Sequence, residues 1–491
     1  MALMTHVLNQ RRAGVLLHIT SLPHADLGDD AYRFVDFLAN TGASVWQTLP
    51  LNMPHADGSP YQCLSAHAGN PTLISLQVLV NQGWLAAGDL NSTLNHQQLL
   101  VKAFQNFNQL NLPEAQTSFI RFCKRQSHWL DDFALFMVLR QQYQCACWHD
   151  WPEALKLRHL AAIKQAHIDF VEDVALVKFV QYLFFQQWHA LKEYANEHNI
   201  ALFGDIPIFI SYDSADVWAQ PTMFKLDADL NMTVVAGVPP DYFSETGQRW
   251  GNPHYNWPAM QADGFKWWLA RMRTQNAMFD MVRIDHFRGL EAAWEIPVDE
   301  PTAINGAWAL APGEALLKAI TEHLPLVTLV AEDLGIITPE VDQLREAFHL
   351  PGMKILQFAF DGSPDNPYLP ERITQNSVVY TGTHDNDTTL GWYLSLNDEQ
   401  RQPLHHYLQI EAEAVKMPSA LVDMALATQS NLAIIPMQDI LALDSACRMN
   451  TPGTMENNWQ WRFEWSQLSP QMQADFADRV NQHHRNPLAK V

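Results

Sequence analysis

Short runs of apolar, often β-branched residues recur along the chain, separated by segments in which apolar residues return at helical spacing. Near-continuous hydrophobicity, without strict alternation, is typical of parallel strands that helices cover on the outside. Such runs predict eight strands, at about residues 14–19, 44–49, 201–205, 281–285, 327–332, 354–358, 378–382 and 432–437. The pattern therefore predicts an α/β protein built as a (β/α)8 TIM barrel.

Helical patterns occupy most of the intervals between these strands. Residues 30–39 carry apolar side chains at helical spacing, and residues 313–320 repeat the pattern. A third helix is predicted to begin at Thr338-Pro339-Glu340, where a capping hydroxyl precedes a proline in the first turn. The alternation of strands and helices supports the barrel.

Two intervals are too long for simple crossovers. Residues about 70–180 are rich in Leu, Gln, Ala and His, and they predict a mostly helical insertion. Residues about 211–262 are rich in Pro, Gly, Asp and aromatic residues, and they predict an irregular insertion over the strand ends. We expect one catalytic domain over residues 1–491, with both segments as inserted subdomains.

Composition narrows the classes of partner. A net charge of −22 leaves no excess of cations for phosphates, so nucleic acid and anionic membranes are not expected as partners. The chain has 17 tryptophans, whose rings can cover the apolar faces of sugars, although most are expected in the core. A neutral substrate such as a sugar fits both observations.

The five cysteines form no CxxC pair, which predicts neither a disulfide framework nor a zinc site but reduced thiols. The apolar run Gly14–Ile19 is too short for the core of a signal peptide, and no run approaches the length that spans a bilayer. These features predict a cytoplasmic protein.

Three carboxylates follow three of the predicted strands. Asp285 ends the run in Arg283-Ile284-Asp285, Glu332 follows Leu326–Val330, and Asp385 follows Val378–Tyr380 by a short loop. A parallel barrel brings the carboxyl ends of its strands to one rim, where its chemistry occurs. Cleavage of a glycosidic bond needs two facing carboxyl groups, so the sequence predicts an enzyme that transforms sugars.

Residues near these carboxylates in the sequence suggest which of them is ionised and which is protonated. Arg283 lies two residues before Asp285, on the same strand face, where a guanidinium would lower the pKa of the carboxylate and orient it. Glu332 would need a raised pKa, from burial or from nearby anions, to deliver a proton. Asp333 points to the opposite face and is expected to be structural.

Longer motifs occur in a fixed order between and around these residues. They are Ser59-Pro60-Tyr61-Gln62, Ala68-Gly69-Asn70-Pro71, Gly204–Ile208, Asp213–Trp218, Gly237–Asn252 and Arg448–Gly453. Together with the carboxylate motifs they resemble those of the amylomaltases, or 4-α-glucanotransferases (disproportionating enzymes), which form family 77 of the glycoside hydrolases in the α-amylase clan. The resemblance covers nearly the whole chain.

The resemblance implies a transferase that moves α-1,4-linked glucan segments between maltooligosaccharides, releasing glucose, through a covalent glycosyl-enzyme. It implies that Asp285 is the nucleophile, that Glu332 is the general acid and base, and that Asp385 contacts the 2- and 3-hydroxyls of the reacting glucose. It also implies that the loop 241–252 overhangs the cleft. The expected substrate-binding residues are Arg283, His384, Tyr61, Trp250, Asp213, Asn252, His286 and Ser59.

The implied partners are maltooligosaccharides and α-1,4-glucans, as donor and as acceptor, with no cofactor and no metal. The chain departs from the family pattern at residues 24–28, 54–58 and 454–459, which bears on its preference for acceptor and chain length.

Three other functions compete with this prediction. An α-glucan hydrolase of the same clan would use the same chemistry, but the segment at Asp213 lacks the Asn-His ending of many α-amylases. A catalytically dead glucan-binding protein would be expected to have lost a carboxylate. A metal-dependent hydrolase could use ligands at strand ends, although no His-x-His cluster occurs; its candidate ligands are His18, Asp205, His286 and His384.

Overall fold

The computed structural model describes residues 7–240, 244–409, 416–454 and 456–488. The strands within these ranges are β1 (Arg12–Leu16), β2 (Val45–Gln47), β3 (Ala201–Ile206), β4 (Val234–Val238), β5 (Gln248–Pro253), β6 (Met281–Ile284), β7 (Ala292–Pro297), β8 (Ala307–Leu310), β9 (Thr328–Ala331), β10 (Gly352–Ile355), β11 (Ser377–Tyr380) and β12 (Leu432–Pro436).

The α-helices of the same ranges include those predicted near residues 30, 313 and 339. They are α1 (Asp29–Thr41), α2 (Leu76–Asn81), α3 (His96–Leu110), α4 (Pro113–Gln142), α5 (Glu153–Lys156), α6 (Leu160–Asp169), α7 (Val171–Glu197), α8 (Ala215–Ala219), α9 (Trp257–Ala262), α10 (Lys266–Met278), α11 (Gly313–His323), α12 (Pro339–Ala347), α13 (Thr389–Ser395), α14 (Asp398–Leu408), α15 (Ser419–Ala427), α16 (Met437–Ile440) and α17 (Pro470–Gln482).

Eight strands close into a parallel barrel in the order β1-β12-β11-β10-β9-β6-β3-β2. The predicted (β/α)8 barrel is confirmed, and each barrel strand overlaps a predicted one. β10 begins two residues before its predicted start, and the end of that run, residues 356–358, turns into a short 3₁₀ helix. Hydrophobicity alone does not mark this end, because the turn is as buried as the strand.

The barrel interior is filled by side chains. A cluster of buried residues from its strands, such as Phe203, Met281 and Val378, packs inside, while a larger cluster lies between the strands and the surrounding helices. Gly14 illustrates how tight this packing is. A Cβ atom there would lie 2.5 Å from Cδ1 of Ile434, so a larger residue would displace the neighbouring strands.

The helical insertion predicted at residues 70–180 is confirmed as helical. Helices α2 to α7 occupy the chain between β2 and β3, and the long helices α4 and α7 pack together through aromatic rings. Phe119 and Tyr182, for example, lie 5.6 Å apart between ring centroids. That this insertion and the next are subdomains of one catalytic domain stays a prediction.

The segment predicted as irregular, residues 211–262, is only partly so. Its strands β4 and β5 join β7 and β8 in an antiparallel sheet of order β5-β4-β7-β8. The prediction was wrong here because two of the partner strands, β7 and β8, lie beyond β6, far along the chain. In the described ranges, no helix is long and apolar enough to cross a membrane.

Candidate active site

Strand register brings Asp285 and Glu332 together at the barrel rim. Each is the first residue after its strand, β6 or β9, and these two strands are neighbours. The amide of Asp285 donates to the carbonyl of Ile206 at 2.9 Å, and that of Glu332 donates to the carbonyl of Ile284 at 3.1 Å. The ladder hydrogen bonds thus extend one residue past the strands and hold both carboxylates at the same level.

Arg283 is the centre of a buried ionic network below them. Its Nη2 donates to Oδ1 of Asp285 at 2.8 Å, and its Nη1 donates to Oδ2 of Asp205 at 2.5 Å. The hydroxyl of Tyr61 donates to the same Asp205 oxygen at 2.7 Å. Arg283 and Asp285 share a strand face, as the spacing of two predicts, and Arg283 pairs with Asp205 in the register of β6 and β3.

The turn after Asp285 supplies a hydrogen bond to the second carboxylate. His286 has the left-handed φ of +52° that is uncommon for a residue with a side chain, and its amide donates to Oε2 of Glu332 at 2.7 Å. The amide of Phe287 donates to the Glu332 carbonyl at 3.1 Å. Backbone strain at such a position is a recurrent feature of active sites, because it aims a polar group that a relaxed turn would not.

Burial raises the pKa values of the two carboxyl groups to different levels. It raises the pKa of Glu332 to about 8; Arg283 opposes this rise and the charge of Asp285 adds to it. Burial likewise raises the pKa of Asp285 to about 6, again against Arg283. The predicted influence of Arg283 on Asp285 has the expected sign, but desolvation outweighs it. Near neutral pH the site therefore favours an ionised Asp285 beside a protonated Glu332.

Asp385 follows β11, two strands along the barrel from β9, and is held by residues near the C-terminus. Nδ2 of Asn450 donates to its Oδ1 at 2.6 Å, and Nη2 of Arg448 donates to its carbonyl at 2.6 Å. The Nε2 atom of His384 lies 3.4 Å from the same Oδ1, and its ring stacks on Tyr61 with centroids 5.2 Å apart. Burial lowers the pKa of His384, which keeps its imidazole neutral.

Asp439 accepts hydrogen bonds from both ends of the loop that carries His384 and Asp385. Its Oδ2 accepts from the hydroxyls of Thr381 and Thr389, at 2.6 Å each, and its Oδ1 accepts from the Thr389 amide at 2.8 Å. The side chain lies in the first turn of α16, directly after β12, and is buried. The helical turn that follows the neighbouring strand β12 thereby restrains the loop at both ends.

The aromatic and amide residues predicted to bind substrate also contact the rim. Trp250 meets the ring of His286 edge to face, with centroids 4.9 Å apart. Asn252 exchanges two hydrogen bonds with the amide of Gln62, at 3.2 and 3.3 Å, and Oγ of Ser59 accepts from the Tyr61 amide at 3.3 Å. Residues 241–243 of the expected overhanging loop lie outside the described residues.

Asp213, also predicted as a site residue, contacts residues outside this group. Its Oδ2 accepts from Nε and Nη2 of Arg140 at 3.1 and 2.9 Å, and its Oδ1 accepts from the Trp148 amide at 3.4 Å. Both oxygens are thus engaged by the helical insertion. The contacts make Asp213 the anchor between the loop after β3 and that insertion.

Three residues outside the predicted glucan-binding set belong to the site, namely Asp205, Asn450 and Asp439, of which the sequence suggested Asp205 only as a metal ligand. The first two stand in motifs that carry the resemblance, Gly204–Ile208 and Arg448–Gly453, so the motifs held a signal that hydrophobic patterning did not. Asp439 stands in no such motif. Its contacts with a loop 50 residues away could be found only in the folded chain.

Two of the residues proposed as metal ligands in the competing prediction, His18 and Asp205, have other partners. Nδ1 of His18 lies 3.0 Å from the Thr48 hydroxyl, and Asp205 is bound by Arg283 and Tyr61. Over the part of the chain that the structure describes, no group of three or more His, Cys, Asp or Glu side chains is placed to hold a metal ion. The expected absence of a metal and of a cofactor stays a prediction.

A closed parallel barrel with paired carboxyl groups at the carboxyl ends of neighbouring strands defines a class, the barrel enzymes that act on glycosidic bonds. Within that class the chain belongs to the 4-alpha-glucanotransferase family, glycoside hydrolase family 77, whose model matches residues 17–468.

Known proteins are similar to this chain over nearly its whole length. The 4-alpha-glucanotransferases of Synechocystis sp. and Thermus thermophilus are each 45% identical to this chain, and each match covers 94% of this chain and 96% of the relative. The amylomaltase of Streptococcus agalactiae, solved in complex with acarbose, superposes with a TM-score of 0.93 at 36% identity, over 97% of this chain and 100% of that one. The predicted 4-α-glucanotransferase is confirmed, and the hydrolase alternative is not favoured.

Proposed function

We propose that the enzyme transfers α-1,4-linked glucan segments in two steps, with Asp285 as nucleophile and Glu332 as acid and base. In the first step Asp285 attacks the anomeric carbon while Glu332 protonates the departing glycosidic oxygen. In the second step the acceptor hydroxyl attacks the same carbon, Glu332 takes its proton, and the bond to Asp285 breaks. Configuration is retained because the carbon is inverted twice.

The observation that carries this assignment is the pairing of the two carboxyl groups on neighbouring strands with separated pKa values. An acid must hold its proton and a nucleophile must be ionised, and burial together with Arg283 favours that combination. When Asp285 becomes an ester its negative charge disappears. That loss lowers the pKa of Glu332, so the same group then accepts the proton of the acceptor.

Asp385 and His384 are proposed to bind the 2- and 3-hydroxyls of the reacting glucose. Asn450 occupies one oxygen of Asp385, which leaves the other for substrate, and the neutral His384 can donate one hydrogen bond. Hydrogen bonds that strengthen as the sugar ring flattens would stabilise the transition state by several kcal/mol. Arg283 and Tyr61 hold the network beneath the nucleophile.

The remaining substrate-binding assignments follow from position. Trp250 and His286 are proposed to bind sugar beyond the cleaved bond, since their rings pack together beside Glu332. Asn252 and Ser59 are proposed to act at the rim by holding Gln62 and Tyr61. Asp213 remains a proposed contributor whose observed contacts support an indirect role, through the helical insertion.

Donor and acceptor are proposed to be maltooligosaccharides and longer α-1,4-glucans, and the enzyme is proposed to work in the cytoplasm. Five free cysteines, for example the buried Cys63, suit a reducing compartment. Activity confined to the cytosolic fraction of the source cells would support this location, and activity outside it would contradict it.

Incubation with maltotriose, without added metal or cofactor, tests transfer directly. We expect glucose to appear together with maltopentaose and longer chains, because hydrolysis cannot lengthen a substrate. The products are separated by chromatography over time, and the Asp285→Asn variant is the control for contaminating activity. Glucose and maltose alone, with nothing longer, would overturn the proposed transfer.

A further inference from the structure

Trp308 is a large aromatic residue exposed near the active-site rim. It lies in β8, at one edge of the antiparallel sheet, and 40% of its surface is accessible. Leu310, two residues further along the same strand, projects on the same face and is 79% exposed. The enzyme is proposed to act on a polymeric substrate, and exposed apolar surface of this kind can bind such a ligand.

The ring of Trp308 is held rigidly from one side. The guanidinium of Arg288 lies 3.9 Å from the ring centroid and covers one face, and Trp294 meets the ring edge-on with centroids 5.2 Å apart. The accessible 40% therefore belongs to the other face and the remaining edge. A flat, immobilised aromatic face is what stacks on the apolar C–H face of a glucose unit at little cost in side-chain entropy.

Contacts connect this ring to the segments that follow the two catalytic carboxylates. Arg288 is three residues beyond Asp285, and its Nη1 donates to the carbonyl of Ile336, four residues beyond Glu332. These separations place Arg288 within ~11 Å of Asp285, and Ile336 within ~14 Å of Glu332, along the chain. Through Arg288, Trp308 is thus linked to the loop that follows the acid.

We propose that Trp308 is a stacking platform for α-1,4-glucan, on the side of the leaving group and acceptor, several sugar units beyond the cleaved bond. This inference rests on the proposed function, because Glu332 protonates the leaving oxygen and so marks that side. The departing segment and the incoming acceptor occupy the same side in turn. Trp308 would therefore bind the far part of long chains and make no contact with short ones.

Steady-state kinetics of Trp308→Ala with two substrates tests the platform. One substrate is maltotriose, and the other is amylose with glucose as acceptor. We expect KM for amylose to rise about tenfold, the equivalent of one stacked aromatic ring, while kcat/KM for maltotriose changes less than twofold. Trp308→Tyr keeps an aromatic face and should restore most of the amylose affinity.

Leu326→Ala is the matched control. Leu326 is 85% exposed but precedes β9, at the opposite end of the barrel, so its loss should leave both KM values unchanged. Affinity electrophoresis through an amylose gel, in the Asp285→Asn background, measures binding without turnover and should show less retardation for Trp308→Ala.

Each other outcome has a defined meaning. An unchanged KM for amylose, or an equal loss with both substrates, would overturn the platform. So would a change in oligomeric state of Trp308→Ala in sedimentation, which would show that the exposed edge of β8 binds a second copy of the chain. Failure of the unsubstituted enzyme to lengthen maltotriose would instead contradict the proposed function.

Discussion

At Asp285, burial and a guanidinium act in opposite directions on one carboxyl group. Burial raises its pKa and Arg283 lowers it, and the result of about 6 leaves the group mostly ionised at neutral pH. The neighbouring Glu332, with its pKa raised to about 8, stays mostly protonated. A single buried cation among several carboxylates thus suffices to favour one ionised and one protonated group.

The pH profile of kcat/KM should consequently be bell-shaped, with limbs near pH 6 and pH 8. Below the first limb Asp285 gains a proton and cannot attack, and above the second Glu332 loses the proton that the leaving group needs. Initial rates on maltotriose from pH 4.5 to 9.5 measure both limbs. In Glu332→Gln the alkaline limb should vanish; if it persists, another group is responsible for it.

Donors with good leaving groups should distinguish the role of Glu332 from that of Asp285. Glu332→Gln is expected to slow transfer from maltotriose by about 10³, within the range for general acid catalysis, because nothing protonates the glycosidic oxygen. Maltosyl fluoride needs little protonation, so its first step should stay near the normal rate and a maltosyl adduct should accumulate. Asp285→Asn should be inactive with both donors.

Intact-mass spectrometry of Glu332→Gln with maltosyl fluoride checks this prediction, and a peptide map should place the adduct on Asp285. An adduct on another residue would refute Asp285 as nucleophile.

At the scale of elements, the loop between β11 and α13 is positioned by the first turn of α16, which follows the neighbouring strand β12. Asp439 accepts three hydrogen bonds from the two ends of this loop, from Thr381 and Thr389, while Asn450 holds Asp385 within it. The loop is therefore restrained from two parts of the chain that follow it. We expect Asp439 to act as a positioning residue for Asp385.

Asp439→Asn keeps the shape but loses one acceptor oxygen, and this should leave a buried hydroxyl or amide unpaired. We expect a destabilisation of about 1–3 kcal/mol and a fall in kcat of about tenfold or more, with a smaller change in KM for maltotriose. Asp423→Asn, which removes a partly exposed ion pair with Arg479, is the control. Equal kcat values for Asp439→Asn and the unsubstituted enzyme would contradict the positioning role.

At the scale of the whole molecule, Arg485 joins the C-terminal segment to the place where the barrel closes. This fully buried guanidinium donates to the carbonyls of Leu426, Thr428 and Ser430, which precede β12, and to that of Arg12 at the start of β1. β1 and β12 pair directly and are the first and last barrel strands in sequence. The contacts therefore tie the two ends of the chain across this junction.

Arg485→Met should lower stability by about 3 kcal/mol or more, since several buried carbonyls lose their donor. Arg485→Lys should recover little of the loss, because an ammonium cannot span the same set of acceptors. Urea midpoints followed by far-ultraviolet circular dichroism, with activity measured in parallel, check the prediction. Midpoints within error of the unsubstituted enzyme would show that water replaces the guanidinium.

Part of the site could be predicted from particular residues. The apolar runs before Asp285, Glu332 and Asp385 place these residues at strand exits, and the spacing of two puts Arg283 on the face of Asp285. Asp333, predicted on the opposite face, accepts from the Met353 amide, and its Oδ2 lies 3.3 Å from Nε of Arg345 in α12. Such statements concern neighbours along the chain or the general geometry of a barrel.

Other residues could not be placed in this way. Strands β7 and β8 complete a sheet whose other strands, β4 and β5, precede β6. No local sequence pattern predicts pairing between strands so far apart in the chain. Asp213 stands in a recognisable motif, yet which group binds its carboxylate depended on Arg140, 73 residues away.

The sequence by itself therefore determined the barrel, its long helical insertion and the three carboxylates at its rim, because hydrophobic runs and residue types are local properties. Only the tertiary structure decided which carboxyl group keeps its proton, because burial and the position of Arg283 set those pKa values. It also decided that Asp439 restrains the loop of Asp385 and that Arg288 supports the exposed ring of Trp308. Those features depend on contacts between distant segments, which exist only once the barrel has closed.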